Sequence, residues 1–278
     1  MKNLCLIFLI LIVPMTALAQ KEKDNTGTNP INLTYDYRMY SEMTELVDPN
    51  GSAITNTFEL RFPFGRDLAA LKGDAAGSRL WDMGKSWAGR IKVRYKNLSL
   101  DNPESELGTK EVSGVGDIDG RIMWVPYASS SFGVAPALEA FFNTATNPAL
   151  GNGVTVLAPT LFFGFFGVLG IPASIFAPGY QFWFDVGGGD DSPKIRRSVF
   201  DIYCVWILGK GRNWVIVNPQ IFIDHEKNVV PALADFEWGF MIAPSAGASG
   251  WIRPGVGFGG QHRPFEWNIE MGLKFVWR

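Results

Sequence analysis

Residues 266–278 read EWNIEMGLKFVWR, and their alternation decides the fold class. Six large apolar residues occupy every second position, whereas Glu266, Asn268, Glu270, Gly272 and Lys274 lie on the other face. Because successive side chains of a β-strand point to opposite faces, this segment predicts a strand with one apolar and one polar face. Trp267 and Trp277 stand near its two ends, which is typical of a transmembrane barrel strand that ends in an aromatic girdle.

The same period of two recurs along the chain. Each repeat has about the 9 to 11 residues that a tilted strand needs to cross a bilayer. Strands are predicted at residues 31–42, 57–64, 90–97, 115–126, 132–143, 155–166, 171–185, 194–208, 214–223, 232–242, 249–259 and 266–277. We therefore predict an all-β protein, a transmembrane antiparallel β-barrel of about 12 strands with both chain ends on the periplasmic side.

Two segments need separate interpretation. Residues 154–184 carry no charge, which is also typical of a transmembrane helix. Pro159, Pro172 and Pro178 would break such a helix, so strands are preferred.

Most periplasmic connections are expected to be short, and outward connections such as residues 44–53 are expected to be longer. Residues 65–89 break this rule and are interpreted as a short amphipathic helix or a plug of the lumen.

The N-terminus predicts secretion. Lys2, an apolar run at residues 4–13 and an Ala-Leu-Ala cleavage signal at residues 17–19 make residues 1–19 a signal peptide. Residues 20–30 form a polar lead, and residues 31–278 form one barrel domain. We expect this domain to lie in the outer membrane of a Gram-negative bacterium, surrounded by lipid.

The formal net charge of −2 gives no basic surplus that would bind nucleic acid. The oligomeric state stays open.

A family resemblance begins at residues 113–127, SGVGDIDGRIMWVPY. This segment, followed by APALEAFF at 135–142, GNGVTVLAPT at 151–160 and PGYQFWF at 178–184, resembles the outer-membrane proteins of the phenol-degradation meta-pathway family. The likeness covers roughly residues 113 to 278. It implies a β-barrel and uptake of apolar solutes, and it implies no catalytic residue.

Charged side chains dominate one side of the predicted lumen. The third strand turns four cations inward, and its neighbours add carboxylates and two further cations. The predicted lumen-lining residues are Glu59, Arg61, Arg90, Lys92, Arg94, Lys96, Asp117, Asp119 and Arg121. Such a stripe is interpreted either as a cross-strand ladder of ion pairs or as an anion-selecting surface.

The other side is apolar. Between Phe132 and Phe184 the inward positions are mostly Ala, Gly, Thr, Phe and Leu, and Glu139 is the ionisable exception. This wall either packs against an internal segment such as residues 65–89 or guides aromatic solutes.

The sequence predicts a channel or transporter for small apolar or aromatic solutes. The first alternative is a barrel enzyme that acts on lipids, which would need a serine beside His225 or His262, and no spacing identifies one. The second alternative is a structural surface barrel. Asp224, His225 and Glu226 point in different directions on an extended chain, so no metal site is predicted, nor any cofactor or catalytic residue.

Overall fold

The computed structural model describes residues 34–47, 50–64, 87–101, 109–129, 131–171, 173–187 and 192–277. The predicted signal peptide, the polar lead and nearly all of the connection at residues 65–89 lie outside the described residues. In the part of the chain that is described, no helix is long and apolar enough to cross a membrane.

Fourteen strands within the described residues form one antiparallel sheet. They are β1 Tyr35–Val47, β2 Asn50–Phe64, β3 Trp87–Asp101, β4 Thr109–Val115, β5 Ile118–Trp124, β6 Tyr127–Ala128, β7 Phe132–Phe142, β8 Thr155–Phe166, β9 Ser174–Val186, β10 Arg196–Leu208, β11 Asn213–Asp224, β12 Ala232–Ala243, β13 Ala248–Phe258 and β14 Trp267–Trp277. Short 3₁₀ turns lie at Pro148–Leu150, Val168–Gly170, Pro244–Ala246 and Gly260–His262.

The sheet closes on itself. β1 pairs with β14 from Tyr35 opposite Trp277 to Glu45 opposite Trp267. β4 and β5 both pair with β3, and β5 and β6 both pair with β7, so these three segments form one interrupted barrel strand. The fold is therefore a closed antiparallel barrel of 12 strands, as the sequence predicted. Closure leaves no sheet edge unpaired.

Some predicted boundaries were wrong. Residues 44–53 were expected to form a long connection, but β1 continues to Val47 and β2 begins at Asn50, because their alternation extends into the hairpin. Residues 115–126 were expected to form one strand, which instead is interrupted after Val115. The backbone N–H of Gly116 still donates to the Arg94 carbonyl at 2.9 Å, so the pairing with β3 survives the interruption.

Apolar side chains cover the outside of the barrel. On β14 the predicted apolar row is exposed and the polar row faces inward, with Leu273 at 41% and Lys274 at 3% exposure. At the end of the barrel where β1 begins and β14 ends, aromatic rings form successive pairs around the wall. These pairs are Tyr35 with Trp277, Phe64 with Trp87, Trp87 with Trp124, Phe132 with Phe165, and Phe165 with Phe176. They make the aromatic girdle that transmembrane barrels carry at an interface.

Candidate functional site: a cavity in the barrel lumen

The barrel encloses a cavity of about 460 Å³. This volume lies in the range of about 300 to 1,000 Å³ that small-molecule sites occupy. Inward residues from most of the barrel strands line it, since every second residue of each strand points into the lumen. Three surfaces of different chemistry result, and neighbouring surfaces share strands.

The first surface is the ionic wall, on β1, β2, β3, β5 and β7. Six cations and four carboxylates meet on it, an excess of two positive charges. They are Arg38, Arg61, Arg90, Lys92, Arg94 and Arg121 with Asp36, Glu59, Asp119 and Glu139.

Glu59 lies at the centre of one half of the ionic wall. It is 2% exposed and binds Arg61, Lys92 at 3.4 Å and Arg38 at 3.8 Å. Arg38 also pairs with Asp36, whose Oδ1 lies 2.7 Å from Arg38 Nε. Buried charges are tolerated when oppositely charged partners surround them, so these contacts allow the charges to remain in the lumen.

Asp119 and Glu139 organise the other half. Asp119 is fully buried and contacts Arg90 at 3.2 Å and Arg94 at 2.6 Å. Glu139 binds Arg90 and also accepts a hydrogen bond from Arg121 Nε at 2.9 Å. The sequence had placed Glu139 on the apolar side. Because β5 and β7 are neighbours, its carboxylate instead joins the ionic wall, with Arg121 directly opposite.

Two of the predicted lumen residues serve a connection instead. Asp117 accepts hydrogen bonds from the backbone N–H groups of Thr144 and Ala145 at 3.2 Å and of Asn152 at 2.6 Å. Lys96 donates to the Leu150 carbonyl at 2.9 Å. Both therefore hold the connection between β7 and β8, and Asp117 lies in the break between β4 and β5.

The second surface is the aromatic wall, formed by Phe141, Phe162, Trp183 and Phe222 where they line the cavity. The ring centroids of Phe141 and Trp183 are 4.8 Å apart. The Arg121 guanidinium lies 5.4 Å from the centre of the Phe162 ring, so the ionic and aromatic walls meet there in a cation–π contact. This arrangement can hold the apolar body of a solute.

The third surface lies on β10 to β14, and sequence reasoning missed it. Arg253 contacts Glu270 at 3.2 Å and binds Glu237. Two buried indoles also donate to these carboxylates at 2.6 Å, Trp214 to Glu237 and Trp251 to Glu270. The alternation of β11, β12, β13 and β14 placed all of these residues inward, so their proximity could have been inferred once the strand order was known.

A serine does lie beside His225. Ser198 Oγ is 2.9 Å from His225 Nε2 and 3.1 Å from the Tyr180 hydroxyl. Tyr180 is exposed on the outside of the barrel, so this pair belongs to the outer face and not to the lumen. The Asp224 carboxylate is engaged by Arg197 and by backbone N–H groups of the following turn. No sequence spacing identified this pair, because it forms only when β10 pairs with β11.

Comparison with solved structures identifies barrels of the same kind. An outer membrane channel from Pseudomonas putida F1 has a TM-score of 0.63 at 9% identity, covering 93% of this chain and 100% of that chain. The chain has the closed β-barrel fold of these outer-membrane proteins. The KdgM porin has a TM-score of 0.55 at 7% identity, covering 87% of this chain and 99% of its own. The NanC porin has a TM-score of 0.53 at 10% identity, covering 87% of this chain and 98% of its own.

No protein-family model and no curated protein matches the chain. At the identities found, the likeness to solved structures concerns the fold alone. The barrel that the phenol-degradation resemblance implied is confirmed, whereas membership of that family stays a prediction.

Proposed function

We propose that this protein is a channel in the outer membrane of a Gram-negative bacterium and that it admits small apolar or aromatic solutes. The observation that carries this proposal is the composition of the cavity. An aromatic wall faces charges that are already paired with one another, so Phe141, Phe162, Trp183 and Phe222 offer a solute an apolar surface inside the cavity. The apolar exterior and the aromatic girdle support a position in a lipid bilayer.

Ion pairing favours an apolar over an anionic solute. Each carboxylate of the ionic wall contacts at least two cations. The charge of a cation that is engaged in this way is partly neutralised by its carboxylate, so the cation attracts a free anion less strongly. The ionic wall is therefore proposed to stabilise the lumen, while the aromatic wall contacts the solute.

Uptake into liposomes tests the proposal. Reconstituted protein should accelerate entry of phenol more than entry of a sugar of similar size. Replacing both Phe141 and Trp183 by Ala should reduce phenol entry, because the paired rings line the cavity. Phe142→Ala is the matched control, since Phe142 points outward from the same strand and is 47% exposed. Equal entry of phenol and sugar would count against an aromatic pathway.

The Ser198–His225 contact supports a second candidate, a barrel enzyme that acts on lipids. A histidine nitrogen at hydrogen-bond distance from a serine hydroxyl is the arrangement that activates a serine nucleophile. The test is release of fatty acid from phospholipid by the purified barrel. Loss of that release in Ser198→Ala, with the barrel still folded, would select the enzyme over the channel.

A further inference from the structure

Four buried oxygens of the third surface lie without a hydrogen-bond donor. They are the Oδ1 atoms of Asp201 on β10, Asn218 on β11, Asp235 on β12 and Asn268 on β14. We call these residues the acceptor cluster. Buried polar atoms usually have a hydrogen-bond partner, so four such acceptors on one part of the lumen wall require a physical reason.

The acceptors are close because Gly255 of β13 has no side chain. Gly255 is opposite Asp235 on one side and opposite Asn268 on the other. A Cβ atom on Gly255 would lie 2.1 Å from Asp235 Oδ1 and 2.2 Å from Asn268 Oδ1. The two oxygens therefore converge on the space that a side chain would fill. Asn218 lies directly opposite Asp235 on the next strand.

The orientation of Asn268 is fixed by its other amide atom. Its Nδ2 donates to Glu42 Oε1 at 2.6 Å, so its oxygen points away from Glu42. Asn268 is only 5% exposed, and its Oδ1 has no donor. Two oxygen acceptors that approach each other in a buried place repel unless a donor lies between them.

Negative charge accumulates around the cluster. Glu42 accepts the amide hydrogen bond of Asn268, and the cluster itself adds the carboxylates of Asp201 and Asp235, with Arg253 as the nearby cation. Arg253 itself binds Glu237 and Glu270. This surface differs from the ionic wall, where each carboxylate contacts at least two cations. A positively charged hydrogen-bond donor would satisfy both the charge and the acceptors.

We propose that the acceptor cluster binds the ammonium group of a small organic amine. An ammonium offers three N–H donors, and the oxygens of Asn218, Asp235 and Asn268 can receive them. Asp201 and Asn218 line the cavity, so two members of the cluster border the space that a solute would occupy.

Binding to the purified full-length barrel in detergent tests this inference. Benzylammonium and benzyl alcohol have nearly the same shape, but one carries an ammonium group and the other a neutral hydroxyl group. Isothermal titration calorimetry with each solute therefore isolates the contribution of the charged group to binding. Benzylammonium should bind and benzyl alcohol should bind about tenfold or more weakly, because hydrogen bonds to a charged group are the stronger ones.

Asp235→Asn is the decisive variant. It removes the charge, and its new amide can donate to Asn268 Oδ1, so the barrel should fold while benzylammonium affinity falls about tenfold. Glu226→Gln is the control, because Glu226 is an exposed carboxylate of the turn after β11. If Asp235→Asn does not fold, Asp201→Asn is measured instead.

Equal affinity for the two solutes, or unchanged affinity in the folded Asp235→Asn or Asp201→Asn barrel, would overturn the inference. The measurement does not depend on transport. A barrel that binds benzylammonium but gives no phenol flux would contradict the proposed channel and leave the amine site standing.

Discussion

Trp214 of β11 lies across Gly239 of β12, directly opposite in the barrel register. A Cβ atom on Gly239 would meet the indole at 1.9 Å, so the ring occupies the space that the glycine leaves. The arrangement repeats two strands away, where Trp251 covers Gly272. In both places the indole N–H reaches the glutamate two residues before the glycine, Glu237 or Glu270. Aromatic cover of a strand glycine fixes the register of neighbouring strands.

Gly239→Ala should therefore destabilise the barrel. The added methyl group forces the buried Trp214 ring to move, and overpacking of this kind costs about 1 to 3 kcal/mol in the free energy of unfolding. Urea unfolding of the refolded barrel measures the effect. Gly120→Ala is the control, because its Cβ would meet no atom closer than 3.7 Å. Equal stability of the two variants would show that the Trp214 ring moves at no cost.

Leu273→Arg should destabilise the barrel in a bilayer. Leu273 is 41% exposed on the apolar exterior, and a cation on a lipid face costs about 2 to 4 kcal/mol at the bilayer midplane. The folded fraction in lipid vesicles, read from heat-dependent migration on a gel, gives the result. Leu273→Met keeps the apolar face and should fold as the parent does. A fully folded arginine variant would place Leu273 outside the membrane.

Glu139→Gln should cost more stability than Lys92→Met. The carboxylate of Glu139 holds both Arg90 and Arg121, and its loss leaves two buried cations short of a partner, with an expected cost of about 3 to 5 kcal/mol. When Lys92 is replaced, Glu59 still contacts Arg38 and Arg61, so its buried charge remains paired. Unfolding midpoints of the two variants in urea test this order. The reverse order would mean that Lys92 is the more important charge.

The orientation of the barrel predicts which turns face the cell exterior. In a Cys204→Ser background, a cysteine at Lys227, in the exposed turn after β11, should react with an impermeant thiol reagent on intact cells. A cysteine at Arg212, in the exposed turn before β11, should react only after the outer membrane is permeabilised. Labelling of Arg212→Cys alone on intact cells would reverse the orientation.

The sequence by itself determined the class of fold, because alternation is a local property of the chain. The row from Trp267 to Trp277 identified its outward face without knowledge of any neighbour. The cationic row on the third strand was visible for the same reason. The ends of the strands were not determined in this way. The β1–β2 hairpin and the break after Val115 depend on hydrogen bonds to other strands.

The tertiary structure decided which inward residues meet. Glu139 joined the ionic wall because β7 follows β5 around the barrel, and Ser198 met His225 because β10 pairs with β11. The approach of Asp235 to Asn268 depends on the register of three strands and on a missing side chain at Gly255. Alternation defines a face, whereas a contact depends on strand order and register. Both are set by pairing between strands, which the alternation within any one strand does not encode.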